Sequence, residues 1–223
     1  GGTLSAVEAY TDTSLSDAMV KDGVAIPFKT NRREAVRFMA KVIWESIREV
    51  VSGPYAIMQW IKECARVINK SDSPIMWTTG DGWSCVQAYP STTSRRVKAR
   101  VGDKTVKLAL SEECDGIDKR RQCQALAPNI VHSFDAEHLR RTALVMKEHE
   151  LDMSAVHDSY GTHAGNMEFM SEALRRQFVK MYSTDRLARL REDMAQGKHV
   201  LPDPPEAGSL VIGDVLNSTY FFA

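Results

Sequence analysis

Two stretches in the first third of the chain carry apolar residues at helical spacing. The first follows Asn31, a residue type that favours helix N-caps, and its apolar positions are Val36, Met39, Ala40, Ile43, Ile47 and Val50. The dipeptide Gly53-Pro54 interrupts this stripe, and a second begins at about Tyr55 with Ile57, Trp60, Ile61, Cys64, Ala65 and Ile68. Because such stripes usually mark buried faces, the pattern predicts two amphipathic helices that pack into a core.

Between residues 77 and 110 the pattern changes from helical spacing to alternation. Two alternating runs, 95–101 and 104–110, flank Gly102-Asp103, a dipeptide typical of a β-hairpin turn. Alternation places three basic residues on one face of the first strand, namely Arg96, Lys98 and Arg100. A basic face of this kind has two interpretations: it is a solvated edge that resists aggregation, or it binds nucleic acid.

A second, shorter hairpin is predicted around residue 158. The run 153–157 is apolar up to His157, and residues 160–164 can return beside it. Asp158 then lies at the turn, where a carboxylate can leave the strand ladder and present both oxygens to a cation. Magnesium prefers such hard oxygen ligands. Aspartate is also a common turn former, so an ordinary turn is the alternative.

The last third of the chain predicts one long helix followed by an extended tail. The helical pattern runs from Met167 to Met194, with an apolar side formed by Met170, Leu174, Phe178, Met181, Leu187 and Leu190. We expect the basic positions of this segment to form a solvated face: Arg175, Arg176, Lys180, Arg186, Arg189 and Arg191. Three prolines, Pro202, Pro204 and Pro205, then end the helical pattern, and an extended tail is predicted to run to Ala223.

Composition narrows the picture only in part. The 223 residues suffice for one large domain or two small ones, and the formal net charge of +0 argues neither for nor against nucleic-acid binding, because it averages local fields. The cysteines at 64, 85, 114 and 123 form no CxxC pair, so we expect reduced thiols. No apolar run approaches the roughly 20 residues that cross a bilayer, so no membrane partner is expected.

His132, Asp135 and His138 are spaced three residues apart in a further helical segment. This spacing brings the side chains towards one helical face, which is compatible with zinc ligation, with core or capping roles, or with a nucleic-acid contact. The spacing alone does not distinguish these alternatives.

Five sequence blocks follow one another along the chain: residues 38–46 (FMAKVIWES), 77–83 (WTTGDGW), 127–135 (APNIVHSFD), 157–162 (HDSYGT) and 217–223 (NSTYFFA). Together they resemble the single-subunit RNA polymerases of phages related to T7 and of mitochondria. The fourth block is similar to that family's motif C. Family A DNA polymerases share its His-Asp pair but usually continue with Glu, whereas this chain continues with Ser159. The RNA polymerase branch therefore fits better.

The resemblance implies an α+β fold, a fragment of the palm and fingers of a right-hand polymerase. We expect a mainly helical chain with a motif C β-hairpin and an extended specificity β-hairpin. Three regions follow from the resemblance: a helical, fingers-associated region at 1–75, a β-hairpin region similar to the promoter-specificity loop at 76–112, and a palm region at 113–223 with the motif C hairpin, the long helix and the C-terminal tail.

The resemblance also implies DNA-directed RNA synthesis by two-metal nucleotidyl transfer. It assigns to Asp158 a catalytic, metal-binding role with two Mg²⁺ ions as cofactors, to His157 a supporting catalytic role, and to His132 a contact with the primer–template end. In this family a hairpin at the position of residues 95–110 enters the promoter major groove. We therefore expect three of its residues to bind nucleic acid: Arg96, Lys98 and Arg100.

The family's motifs A and B, which supply the other catalytic aspartate and a phosphate-binding basic residue, are absent from these 223 residues. Gly1-Gly2-Thr3 fits the residues that follow motif B. We therefore expect a C-terminal piece, split or cleaved, that is inactive without an N-terminal fragment or subunit carrying both motifs. The other expected partners are promoter DNA, template DNA, the RNA product and nucleoside triphosphates, in the cytoplasm of an infected bacterial cell.

Two alternatives remain open. A DNA polymerase fragment would have the same right-hand architecture, and a non-catalytic DNA-binding module would keep the palm scaffold without its chemistry, because a shared fold does not fix function.

Overall fold

The computed structural model describes residues 4–21, 23, 31–102, 104–156 and 159–221. The chain forms two compact units, Gly1–Gln59 and Trp60–Ala223. The first unit is helical, and the second combines helices with antiparallel β-hairpins.

Three helices contribute to the first unit: α1 (Leu4–Lys21), α2 (Arg32–Val50) and the first half of α3 (Ser52–Ile68). Helix α2 begins where the sequence predicts, because the Asn31 side chain accepts a hydrogen bond from the Arg33 amide at 3.1 Å. Arg32 joins α2 to α1 through a hydrogen bond from its Nε to Asp12 Oδ1 at 2.8 Å. Pro54 lies in the first turn of α3, where a proline is tolerated.

The apolar stripe of α2 is buried only in its first half. Val36 and Ala40 are buried, whereas Ile43 is 39% exposed and Val50 is 82% exposed. The prediction of a stripe buried along its whole length is therefore wrong. Periodicity indicates which side of a helix is apolar, but it does not indicate how far along that side a neighbouring element extends.

Helices form the framework of the second unit. The second half of α3 buries the predicted residues Trp60, Ile61, Cys64, Ala65 and Ile68, which confirms that stripe, while Ile57 lies before the boundary and is half-buried. The other helices are α4 (Lys119–Glu148), α5 (Met167–Tyr182) and α6 (Arg186–Ala195). Short 3₁₀ turns occur at Asn69–Ser71, Ala164–Asn166 and Ile212–Asn217.

Three antiparallel hairpins complete the described part of this unit. They pair β1 (Ile75–Thr78) with β2 (Ser84–Gln87), β3 (Pro90–Val101) with β4 (Lys104–Ile117), and β5 (Ser154–Val156) with β6 (Ser159–Gly161). Both hairpins predicted from the sequence are confirmed, and the larger one is longer than predicted. The mainly helical chain with small antiparallel hairpins is compatible with the α+β prediction.

The predicted long helix is in fact two helices. Helix α5 ends at Tyr182, and α6 starts after Asp185, whose side chain accepts a hydrogen bond from the Ala188 amide at 2.9 Å. Ser183, Thr184 and Asp185 are small polar residues that favour caps over helix interiors, and this local signal overrides the continuous apolar spacing. In the tail, the 3₁₀ turn at Ile212–Asn217 interrupts the predicted extended conformation.

The prediction of a solvated basic face on these helices is also wrong for three of its six residues. Arg175 donates to the carbonyls of Val215 and Ser218, Arg186 is paired with Glu137, and Arg191 donates to the carbonyl of Leu201. These residues therefore tie the two helices to other parts of the second unit. Helical spacing alone could not identify such distant partners.

Two expectations from composition can be compared with the structure. All four cysteines are free thiols, as predicted. Among the described residues, no helix combines the length and the apolar character required to span a bilayer.

Candidate functional site

The hairpin of β5 and β6 is short, and its first strand is solvent-exposed. Its register pairs Ser154 with Gly161, Ala155 with Tyr160, and Val156 with Ser159. The Val156 side chain is 69% exposed. The two strands are connected by His157 and Asp158, the predicted catalytic pair, which lie outside the described residues.

An apolar cluster holds the base of this hairpin against two helices. Its buried members are Met146 of α4 together with Met170 and Leu174 of α5. Residues on and beside the hairpin pack against these three, including Met153 and Tyr160. The cluster therefore fixes the hairpin to α4 and α5 and leaves β5 accessible to solvent.

The C-terminal segment packs on the same cluster. Phe221 contacts the cluster and lies edge-on to Phe178 with ring centroids 5.0 Å apart. Arg175 holds the preceding residues through hydrogen bonds to the carbonyl oxygens of Val215 at 2.8 Å and Ser218 at 2.6 Å. The structure thus brings Phe221 and the β5–β6 hairpin to one side of α5. Phe222 and Ala223 lie outside the described residues.

Helix α4 also organises the turn between β1 and β2 through a buried carboxylate, that of Glu137. This carboxylate accepts hydrogen bonds from the Gly80 amide at 2.9 Å, from Arg141 Nε at 2.8 Å and from Arg186. Burial by itself would raise the pKa of Glu137, but the hydrogen bonds from Arg186, Gly80 and Arg141 outweigh it and lower the pKa below its usual range.

Gly80 has to be glycine because of this contact. A Cβ atom at residue 80 would lie 2.5 Å from Glu137 Oε1. The block 77–83 is therefore fixed at its turn by α4, and no local pattern in the sequence indicates this partner.

A second ion pair holds the same turn. Arg140 donates from Nε to Asp81 Oδ2 and from Nη2 to Asp81 Oδ1, and the second bond is 2.9 Å long. These charge-assisted bonds lower the pKa of Asp81 to about 2, against a smaller opposing effect of burial. Together with Glu137, this pair makes α4 the element on which the β1–β2 hairpin is mounted.

The three residues of the predicted His-Asp-His spacing lie in different environments on α4. His132 and Asp135 are exposed, whereas His138 is buried, with Nε2 2.8 Å from the carbonyl oxygen of Leu174 and its ring edge-on to Phe178. His138 therefore has the core role that was one of the alternatives. Within the described part of the chain, no three His, Cys, Asp or Glu residues are grouped to hold a metal. The zinc alternative thus has no support there.

His132 is accessible on a well-fixed stretch of α4. The next residue, Ser133, accepts a hydrogen bond from Trp77 Nε1 at 2.9 Å and donates to the Ile130 carbonyl at 2.7 Å. These contacts join α4 to β1 and leave the His132 side chain exposed to solvent.

The β3–β4 hairpin has one basic face. Its register pairs Arg96 with Ala109, Lys98 with Lys107 and Arg100 with Thr105, so the three predicted residues share a face and are exposed. Lys107 adds a fourth basic side chain to this face. The sequence contained a signal for it, because a two-residue turn at Gly102-Asp103 places Lys107 directly opposite Lys98.

Charge is also graded along this hairpin. The acidic residues of β4, Glu112, Glu113 and Asp115, lie nearer to its root than the four basic residues do. The basic charge is therefore concentrated in the distal half. The basic face thus lies on β3 and β4, and His132 lies on α4. Asp158, the predicted metal ligand, is outside the described residues.

Comparison with known proteins identifies the family. The family described as DNA-dependent RNA polymerase matches residues 1–199. The chain belongs to this family. The membership confirms the RNA polymerase part of the resemblance and favours it over the DNA polymerase alternative.

Similar proteins occur in plants. The chain is 35% identical over 190 residues to DNA-directed RNA polymerase 1, mitochondrial, of Nicotiana sylvestris, and 36% identical over 190 residues to DNA-directed RNA polymerase 2, chloroplastic/mitochondrial, of Arabidopsis thaliana. These matches cover 84% of this chain but 19% and 18% of the two relatives. A third relative, DNA-directed RNA polymerase 2A of Nicotiana tabacum, is 34% identical and is covered over 56% of its length. The chain thus spans about one fifth of the first two relatives.

Proposed function

We propose that this chain is the C-terminal part of a T7-like, single-subunit DNA-directed RNA polymerase and contributes to its palm and fingers. The observation that carries this proposal is the family match over residues 1–199, which includes the block 157–162, whose residues 159–161 form strand β6. The names of the plant relatives support transcription as the process.

The proposed reaction is nucleotidyl transfer. The 3′-hydroxyl oxygen of the RNA attacks the α-phosphorus of a nucleoside triphosphate, a new phosphodiester bond forms, and pyrophosphate leaves. Asp158 is the proposed magnesium ligand, and His157 supports it. Magnesium ions bound there would activate the attacking oxygen and stabilise the leaving oxygen.

Asp158 is compatible in its chemistry with a magnesium ligand. A carboxylate is the ligand type that magnesium prefers, and it usually takes one or two of them together with substrate phosphates and water. Because the resemblance gives the other catalytic aspartate to motif A, which these 223 residues lack, we propose that the second carboxylate comes from a segment carrying motif A. RNA synthesis then requires that segment, in the same polypeptide or in a partner.

The nucleic-acid contacts are proposed to involve two surfaces. His132, exposed on α4, contacts the primer–template end. The distal basic face of the β3–β4 hairpin enters the major groove of promoter DNA, where arginine and lysine bind guanine edges and phosphates.

The Asp158→Ala variant tests the proposed catalytic role. In a polymerase assembled from this chain and a segment with motif A, it is expected to lower RNA synthesis by at least about 100-fold, because a metal ligand acts on the reacting groups. Binding to duplex promoter DNA should be retained. The matched control is Asp152→Ala, an exposed aspartate beside the same hairpin, which should keep most of the activity. Equal activity of both variants would overturn the assignment and favour the non-catalytic DNA-binding module.

A further inference from the structure

The root of the β3–β4 hairpin lies against the start of α4. Strand β3 follows Tyr89 directly, and β4 ends at Ile117, immediately before Asp118, the N-cap of α4. Both strands therefore leave the body of the second unit at the first turn of this helix.

Tyr89 is held at this root in three ways. Its carbonyl accepts a hydrogen bond from the Asp118 amide at 2.9 Å, and its hydroxyl accepts one from Asn129 Nδ2 at 3.1 Å. The guanidinium of Arg121 lies over its ring, 4.4 Å from the centroid. The residue that begins the hairpin is thus fixed at its backbone, its ring and its hydroxyl.

A network of side-chain amides connects to Tyr89 through Asn129. Asn129 Nδ2 also donates to Gln87 Oε1 at 2.8 Å. Gln87 and Gln122 exchange two hydrogen bonds, each from a side-chain Nε2 to the partner's backbone carbonyl at 3.0 Å. Because Gln87 is 4% exposed and Gln122 is fully buried, breaking these bonds would leave buried polar groups without partners.

The second strand is fixed at the same level. The Ile117 amide donates to Asp72 Oδ1 at 3.2 Å, and a Cβ atom at the preceding Gly116 would lie 3.1 Å from Asp72 Oδ2. Gly116 has a φ of 93°, a conformation that favours glycine. The last residues of β4 therefore pass close to the Asp72 carboxylate.

These contacts lie along one side of α4, since Asp118, Gln122 and Asn129 are separated by four and seven residues. The same helix bears exposed His132 and, near its C-terminus, Met146 of the cluster that holds the β5–β6 hairpin. One element thus carries the root of the basic hairpin and the base of the hairpin with the proposed catalytic residue.

We propose that Asn129 and Tyr89 are positioning residues that set the angle at which the β3–β4 hairpin leaves α4. This inference rests on the proposed function. In the polymerase, Asn129 and Tyr89 keep the DNA bound by the hairpin in register with the site of RNA synthesis. A ribbon of 12 to 14 residues is roughly 40 Å long. A tilt of about 5° at its root would move its end by roughly 3 Å, close to the rise of one base pair.

The first test measures the hairpin angle in the chain itself. Spin labels are attached at Thr105→Cys on β4 and Gln124→Cys on α4, with the exposed Cys114 and the half-buried Cys85 and Cys123 replaced by serine. Asn129→Ala and Tyr89→Phe are expected to widen the distance distribution between the labels by about twofold, since each removes a restraint at the root. The matched control, Asn166→Ala at a half-buried asparagine outside the root, should leave the width unchanged. An unchanged width in both root variants would overturn the proposal.

The second test separates recognition from chemistry in the assembled polymerase. The substrates are a promoter duplex, chosen because the unmodified polymerase transcribes it, and a preformed RNA–DNA primer–template. Asn129→Ala should raise KM for the duplex by about tenfold and scatter the RNA start site over adjacent nucleotides, with primer extension kept within about twofold. A variant that loses both activities equally, or keeps a single start site and an unchanged KM, would contradict a positioning role. Primer extension by Asp158→Ala is measured in the same experiment, so that failure of the proposed function is seen separately from failure of the positioning role.

Discussion

At the scale of single residues, Glu137 shows how α4 acquires its partners. Its buried carboxylate joins an arginine of its own helix, an arginine of α6 and a backbone amide of the β1–β2 turn. Arg186, the partner in α6, keeps only 11% of its side chain exposed. Removing one charge from such a pair leaves the other buried without compensation, which is costly.

Glu137→Gln is therefore expected to lower the free energy of unfolding of the second unit by about 3 kcal/mol. Urea titration followed by tryptophan fluorescence measures this, since Trp60, Trp77 and Trp83 lie in that unit. The matched control is Glu172→Gln, which removes an exposed i,i+4 pair with Arg176 and should cost less than about 0.5 kcal/mol. Similar losses in the two variants would show that Glu137 has no special structural role.

The pKa of Asp81, about 2, predicts how stability depends on pH. Because Arg140 depresses this pKa in the folded state, the stabilisation is present above the unfolded value near 4 and is lost as pH falls from about 4 to about 2. The shift corresponds to roughly 2 kcal/mol. Asp81→Asn should remove this part of the acid sensitivity in urea titrations between pH 5 and pH 2, and Arg140→Met should remove the same part. An acid sensitivity that persists in both variants would exclude the pair as its source.

The sequence predicted individual residues unevenly. The exposure of Arg96, Lys98 and Arg100 followed from alternation along one strand, a local property. The partners of Glu137, Asn129 and Arg175 could not be predicted from a local pattern, because each of these residues bonds to one at least 40 positions away in the chain. No local pattern encodes such a pairing, so the sequence alone assigns these residues no role or places them on a solvated face.

At the scale of elements, the β3–β4 hairpin is the part of the chain with the most direct functional prediction. Replacing Lys98 and Lys107, which face each other across the strands, by alanine should weaken DNA binding similarly for different sequences. The slope of log affinity against log salt concentration should fall by about 0.9 for each phosphate that is no longer neutralised.

Fluorescence anisotropy with a labelled duplex over a range of salt concentrations measures this slope. The control is Lys180→Ala, an exposed lysine on α5 that should leave the slope unchanged. If Lys98→Ala and Lys107→Ala also left the slope unchanged, the basic face would be a solvated edge, the other interpretation of its sequence.

Element types were predicted better than element ends. The N-cap residue Asn31 located the start of α2 correctly. The dipeptide Gly102-Asp103, with alternating residues on both sides, located the large hairpin correctly. The break between α5 and α6 was missed because the apolar spacing continues across it, although Asp185 is a capping residue type. The burial of the α2 stripe was overestimated, since burial depends on neighbours that periodicity does not reveal.

At the scale of the whole molecule, family membership followed from five short blocks in order, and the match over residues 1–199 confirms it. The structure adds what those blocks could not show. The blocks at 77–83 and 127–135 meet because α4 and β1 are joined through Trp77 and Ser133. The block at 217–223 shares a cluster with the hairpin of the block at 157–162 through Phe221 and Tyr160.

The central claim is that this chain supplies one carboxylate of a shared polymerase site. The most direct test measures promoter-dependent RNA synthesis by the chain alone, by a segment carrying motifs A and B alone, and by the two together, with Asp158→Ala as the control. Synthesis only when both are present, and its loss in the Asp158→Ala variant, is the predicted result. Robust synthesis by the chain alone, or none from a complex shown to have formed, would contradict the claim.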